Sequence, residues 1–265
     1  MRVAQLGSGE PSIALVGGIH GDEPCGVNAI EQLLAESPTV SRPVKLVVAN
    51  ERAIEAGTRY VDEDLNRAFP GERDGPTHEQ RLAARLVDEL EGCLVCSMHS
   101  TQSHATPFAI VDEVSETARE ICPRLPITAL VETGAFAQGR LVTGAETIEV
   151  ECGLQGSETA TANAHRLARA FLTATGVIPA DSDTRSLPVY RLVDTIAKAV
   201  ADRYEIFVDN FDRVEAGTPF AAVDGDVRTA DEPFYPVLVS PNGYEDVFGY
   251  AAEKRGVLDR SPTST

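Results

Sequence analysis

Apolar and polar positions alternate along this chain in a pattern that changes period from segment to segment. An unbroken apolar run at residues 13–16 predicts a buried strand, and from Pro24 the apolar positions Val27, Ile30, Leu33 and Leu34 take up helical spacing. A strand is predicted at 44–49, then a polar, Arg- and Asp-rich loop over 51–74. Leu82, Leu86 and Leu90 share one face of a helix over 77–90, with Thr77 placed to cap it. Residues 93–98 form a short continuous apolar strand, as expected where a sheet is covered on both faces. Strands at 108–111, 127–131 and 147–152 follow, with helices at 115–121 and 157–172, the last capped by Ser157. Such alternation predicts an α/β domain over residues 1–178, a mostly parallel (mixed) sheet with helices on both faces. After a linker-like stretch at 178–183 the helical period fades. Short β-like runs at 189–196, 206–208, 220–223, 235–239 and 247–251 predict a small all-β C-terminal domain over 186–258, with a disordered tail beyond Asp259.

Charge changes this picture more than composition does. The 265 residues carry 41 acidic and 23 basic side chains, a net charge of −18, and the only lysines are Lys45, Lys198 and Lys254. That balance argues against nucleic acid and anionic membranes, which call for basic patches. It fits the solvated acidic surface of a halophilic protein. Acidic self-repulsion of that kind makes stability depend on screening, so the melting temperature is expected to fall as salt is withdrawn; a melting temperature indifferent to salt would remove the halophilic reading. No apolar run approaches the length of a membrane span, and Met1-Arg2-Val3 leads into mixed polar sequence rather than an apolar leader. Five cysteines, an odd number, suit free thiols in a reducing, cytoplasmic setting.

Candidate chemistry begins where the first buried strand ends, at Val16-Gly17-Gly18-Ile19-His20-Gly21-Asp22-Glu23-Pro24. His20 and Glu23 sit on the loop leaving the strand's C-terminal end, where open α/β sheets place their ligands. His99, at the end of the 93–98 strand, projects from the same sheet edge and completes a His2Glu zinc set with one position open for water. Taken alone, His-x-x-Glu is common in structural loops. Cys93-x-x-Cys96 with His99 resembles half of a structural zinc site but finds no second ligand pair. His78-Glu79 begins like a metalloprotease helix, but position 82 is leucine. Two further clusters stand out. Thr58-Arg59-Tyr60-Val61-Asp62-Glu63-Asp64-Leu65-Asn66-Arg67 sets two arginines and an asparagine on one loop, donors suited to a carboxylate or, equally, to surface salt bridges. In Ile148-Glu149-Val150-Glu151-Cys152-Gly153-Leu154-Gln155, strand alternation sends Glu149 and Glu151 to one face. A carboxylate there could shuttle a proton opposite a metal.

These segments, in this order, resemble the aspartoacylase and succinylglutamate desuccinylase family, relatives of the zinc carboxypeptidases. The resemblance covers roughly residues 16–155 and touches the chain again around Tyr244. It implies a zinc-carboxypeptidase-like fold with one Zn2+ per chain on His20, Glu23 and His99. It implies Glu151, within the Glu-x-Gly-x-Gln stretch, as proton shuttle and Arg59 as the group polarising the scissile carbonyl. Asn66 and Arg67 would hold the substrate's α-carboxylate, Asp64 would orient His20, and Arg140 with Tyr244 would reach the substrate's side chain. Ser97 and Ser100 depart from the family's aspartate and asparagine, which puts the surroundings of His99 in question. The implied activity is hydrolysis of an N-acyl, acidic amino acid, in a protein that can form a homo-oligomer, with the C-terminal domain lidding the pocket. A carboxypeptidase-type peptidase and a non-catalytic small-molecule binder are the alternatives.

Overall fold

The structure, a computed structural model, describes residues 1–141 and 146–259; the tail expectation beyond Asp259 lies outside the described residues. Its centre is a ten-stranded mixed sheet. The apolar runs β2 (Ile13–Gly17), β3 (Val44–Val48) and β4 (Leu94–Thr101) are parallel neighbours, flanked by the antiparallel edge strand β1 (Arg2–Leu6). On the other side of β4 lies β7 (Thr147–Leu154), parallel to it, and then β5 (Phe108–Val111) and β6 (Leu130–Glu132). The sheet does not stop at the change of texture near residue 180. β8 (Leu187–Ala197) pairs in parallel with β6, and β13 (Val247–Leu258) and β12 (Tyr235–Val237) complete the order β1-β3-β2-β4-β7-β5-β6-β8-β13-β12. A separate three-stranded antiparallel sheet holds β9 (Tyr204–Ile206), β10 (Pro219–Val223) and β11 (Asp226–Thr229), packed over Phe220 and Phe248.

Helices cover the large sheet as the alternation predicts. Odd residues of β2 and even residues of β4 and β7 (Ile13, Leu15, Cys96, Met98, Ile148, Val150) face α1 (Pro24–Glu36), α4 (Glu116–Ile121) and α5 (Glu158–Ala174). The opposite face carries α3 (His78–Leu90), whose Leu82, Leu86 and Leu90 pack on Ala14, Val16, Val47 and Val95. Farther along that face a second cluster, around Phe108, Ile110, Tyr190 and Tyr250, faces the C-terminal third. Between the two apolar clusters the sheet shows polar side chains: Ser97 and His99 on β4, in register with Glu149 and Glu151 on β7. A polar gap in an otherwise apolar covered face is where the fold leaves room for a site.

Caps behave as expected: Thr77, Ser115 and Ser157 each accept a backbone N–H three residues on. The polar loop over 51–74 is not wholly irregular. It opens with α2 (Glu51–Ala56), capped by the Asn50 side chain and ended by Gly57 in the left-handed region; those two residues were the available signal. β1 and β11 also escape the pattern, because both are short and mostly solvent-facing. Residues 127–129, expected as strand, lie just before β6, although Thr128 and Ala129 already exchange backbone hydrogen bonds with Pro107 and Ala109 beside them. β13 runs well past residue 251 because exposed Glu253 and Lys254 keep their ladder with β8, which resumes at Gly256 after a bulge at Arg255.

One close approach sets the geometry of the site. A Cβ at Gly17 would lie 2.5 Å from the carbonyl carbon of Gly26, and one at Gly26 would lie 2.9 Å from Met98 O. Helix α1 therefore rests directly on the ends of β2 and β4, bringing the loop that carries His20 and Glu23 against the end of β4.

Candidate active site

Glu23 occupies the N-cap position of α1 without capping it, because its carboxylate is engaged elsewhere. Oε1 lies 2.8 Å from His20 Nδ1 and accepts from Arg59 Nη1 at 3.0 Å. Oε2 lies 3.1 Å from His99 Nδ1 and accepts from the Ser100 backbone N–H at 3.1 Å. His20, Glu23 and His99 are each 4 % exposed, and one ligand-type atom from each lies within 4.8 Å of the others. This trio is the metal-type cluster of histidine, cysteine and acidic side chains found among the described residues.

The donor set fits a zinc ion: two imidazole nitrogens and a carboxylate, the ligands of open catalytic sites. The electrostatics point the same way, since the site calls for positive charge. Burial works to lower the pKa of His99, but hydrogen bonding and attraction to the Glu23 carboxylate outweigh it and raise the ring to about 9. Burial works to raise Glu23, and the two imidazoles nevertheless hold its carboxyl well below the usual range.

The far sides of both imidazoles are tied. His20 Nε2 lies 3.0 Å from Asp64 Oδ1, a carboxylate behind a metal-type histidine that fixes its tautomer and ring angle. Asp64 is itself held by Arg59 Nη2 at 3.2 Å and by the Asn66 backbone N–H at 2.8 Å. Behind His99 the partner is neutral: Ser97 Oγ lies 3.1 Å from Nε2, wholly buried. The serine thus takes up the contact through a hydroxyl, with less pull on the ring proton than a carboxylate exerts. Ser100 contributes its backbone N–H, while its own hydroxyl is buried without a partner.

Glu151 stands beside His99 in the β4–β7 register, and its Oε2 is buried without a hydrogen-bond partner. Burial pushes its carboxyl up to about 7; the Glu23 and Glu149 carboxylates add to the rise, while the His99 and His20 rings oppose it. Glu149, on the same strand face, accepts from Asn66 Nδ2 at 3.1 Å, and Asn66 Oδ1 in turn accepts from the Leu141 backbone N–H at 3.0 Å. Arg140, 4 % exposed, donates to the Tyr250 hydroxyl at 3.2 Å. Burial of the Tyr244 hydroxyl end pushes its phenol up to about 12, so it stays a neutral donor. A cavity of about 50 Å³ opens among these groups, lined by His20, Glu23, Arg59, Asn66, Arg67, His99, Arg140, Glu151 and Tyr244. Of the residues that the family resemblance assigns a role, all line this cavity except Asp64, which lies behind His20. Gln155, quoted only as part of a motif, also lines it and donates to Asp22 O at 3.1 Å, tying the end of β7 to the His20–Glu23 loop.

Comparison with known proteins places this geometry. The profile of the succinylglutamate desuccinylase/aspartoacylase catalytic domain matches residues 9–175, well over half of the chain and every segment from His20 to Glu151. The chain belongs to this family. A succinylglutamate desuccinylase of Burkholderia thailandensis is 29% identical over 268 residues, covering 87% of this chain and 75% of its own. A probable aspartoacylase of Prochlorococcus marinus is 35% identical over 100 residues, about a third of either chain (35% of this one, 34% of that one). Among solved structures, a product-bound ectoine utilization protein EutE (DoeB) from Ruegeria pomeroyi superimposes with a TM-score of 0.77 at 21% identity, covering 95% of this chain and 87% of that one. Murine aminoacylase 3 gives a TM-score of 0.71 at 20% identity over 95% of this chain and 99% of its own. At such identities the structural likenesses speak to the fold: a mixed sheet with helices and a small C-terminal antiparallel sheet. Among the described residues no helix is long and apolar enough to cross a membrane.

Proposed function

We propose that the protein is a zinc-dependent amidohydrolase that removes a small acyl group from an N-acyl amino acid, with an acidic amino acid the expected product. The observation that carries the reading is the meeting of His20, Glu23 and His99 within 4.8 Å, with Glu151, whose Oε2 is buried without a hydrogen-bond partner, alongside. When bound, zinc supplies a Lewis acid that polarises a carbonyl oxygen and brings the pKa of a water to roughly 7.

The remaining work falls to side chains. Glu151 accepts the proton of the attacking water and delivers it to the departing amine, the role for which a carboxyl near neutrality suits. Arg59, held between Glu23 and Asp64, presents its guanidinium to the cavity. A preorganised donor of this kind stabilises a developing oxyanion by roughly 3–4 kcal/mol in other hydrolases. Asn66 and Arg67 orient the substrate's α-carboxylate, and Arg140 with Tyr244 reads its side chain. The lining by Leu238, Ser240, Gly243 and Tyr244 supports a C-terminal domain that lids the pocket.

The test is a zinc-loaded preparation assayed with N-acetylaspartate, N-succinylglutamate and a dipeptide. Free amino acid is expected from an N-acyl substrate and little from the dipeptide. Release from the dipeptide alone would favour a peptidase, and release from none of the three a non-catalytic binder.

A further inference from the structure

Glu79 lies outside the cavity, yet its carboxylate accepts four hydrogen bonds, as many contacts as Glu23 makes within the site. It sits on the first turn of α3 and is 0% exposed. Its Oε1 accepts from the Val61 backbone N–H at 2.8 Å and from Asn50 Nδ2 at 3.0 Å. Its Oε2 accepts from the backbone N–H groups of Asp62 at 3.0 Å and Glu63 at 3.4 Å. Three successive backbone N–H groups thus converge on one anion, a nest filled by a side chain of the same protein. Burial works to raise the pKa of this carboxyl, but these hydrogen bonds outweigh it and hold it below the usual value.

The nest lies inside the segment that serves the cavity. Arg59 is two residues before Val61, Asp64 follows Glu63 directly, and Asn66 and Arg67 come just after. The same hub reaches the His20 loop. Asn50 donates its backbone N–H to Gly18 O at 2.9 Å, and Gly21 donates to Arg59 O at 3.1 Å. The neighbouring His78 backbone N–H bonds Asp62 Oδ2 at 2.7 Å, and His78 Nε2 lies 3.0 Å from Asn50 Oδ1. The segment has little regular structure of its own, a single 3₁₀ turn at Leu65–Arg67, so its backbone amides find their partners in side chains.

We propose that Glu79 is a positioning residue: one buried anion on α3 fixes the backbone that carries Arg59, Asp64, Asn66 and Arg67, and thereby aims them at the substrate and at His20. For the roles of those four groups this rests on the function proposed above. Glu79→Gln keeps the shape but replaces an accepting oxygen by an amide that can only donate, facing N–H groups that also donate. The zinc ligands come from other segments, so the variant should still take up one zinc per chain.

Two measurements test the idea. In hydrogen exchange, the amides of Val61, Asp62 and Glu63 should be protected in the wild type and exchange at least tenfold faster in Glu79→Gln, with β4 and β7 unchanged. In kinetics on folded, zinc-loaded enzyme, KM should rise about tenfold or more through Asn66 and Arg67, with kcat falling through Arg59. A purely structural role would lower the melting temperature and leave both constants per folded site untouched. Should Glu79→Gln fail to fold, Glu79→Asp, which retains the charge on a shorter arm, is read in the same two ways. Unprotected amides at 61–63 in the wild type, or wild-type kcat and KM in a folded variant, would overturn the proposal. Should the wild type hydrolyse no N-acyl substrate, the assigned function fails while the exchange result still decides whether the nest holds the segment.

Discussion

Glu151→Gln is expected to bind one zinc per chain and to lose about two to four orders of magnitude in kcat, the usual contribution of a positioned general acid–base group. Glutamine matches the carboxylate in size, so the packing of β7 between β4 and β5 should stand. What disappears is a carboxylate oxygen, Oε2, that is buried beside His99 without a hydrogen-bond partner and can take a proton. The pH profile adds a second reading. Glu151 must be ionised to accept a proton, so activity should fall as pH drops through its pKa. Burial sets that value at about 7, and a cation held by the neighbouring His20, Glu23 and His99 favours the charged carboxylate, which moves the acid limb below 7. In Glu151→Gln that limb should vanish along with the rate. Near-normal turnover, or an unchanged acid limb, would transfer the proton-shuttling role to Glu149 or another group.

His99→Ala should abolish stoichiometric zinc and reduce turnover to background while leaving the chain folded. The substitution removes one of three ligands and releases Glu23 Oε2 from its contact at 3.1 Å. Glu23 keeps His20, Arg59 and the Ser100 backbone N–H, so no bare buried charge remains to unfold the protein. Metal analysis after dialysis, together with far-ultraviolet circular dichroism, reads both halves. Full zinc retention would mean that the ion sits elsewhere and would remove the proposed roles of Arg59 and Glu151. Ser97→Ala is the milder companion: it removes only the hydroxyl behind His99, so zinc should bind about 10–100-fold more weakly, the usual cost of losing such a partner.

Much of this site was legible before any coordinates. His20, Glu23 and His99 stand at the C-terminal ends of apolar runs, and side-chain alternation along residues 148–152 placed Glu149 and Glu151 on one face. The structure keeps both features: β4 and β7 are parallel and adjacent, with His99 opposite Glu151. Other features were hidden for identifiable reasons. In the sequence Glu79 stands out only through a metalloprotease-like pair that fails at Leu82, because its partners are mostly backbone amides, which carry no residue-type signature. β13 continues through charged residues because its ladder with β8 depends on backbone pairing rather than on apolar side chains.

Local pattern, through periodicity, caps and turn residues, was enough to determine most of the strands and helices, though not β1, α2 or β11, and to draw attention to the side chains proposed for the chemistry. Each of those properties depends on a few neighbouring residues and on whether a face meets water. Tertiary structure alone decided that α1 touches β2 and β4 through Gly17 and Gly26, that a serine hydroxyl backs His99, and that the large sheet continues from β6 into β8. Those outcomes are set by packing between segments tens of residues apart, where a few tenths of an ångström separate a shared ligand point from an ordinary polar cluster.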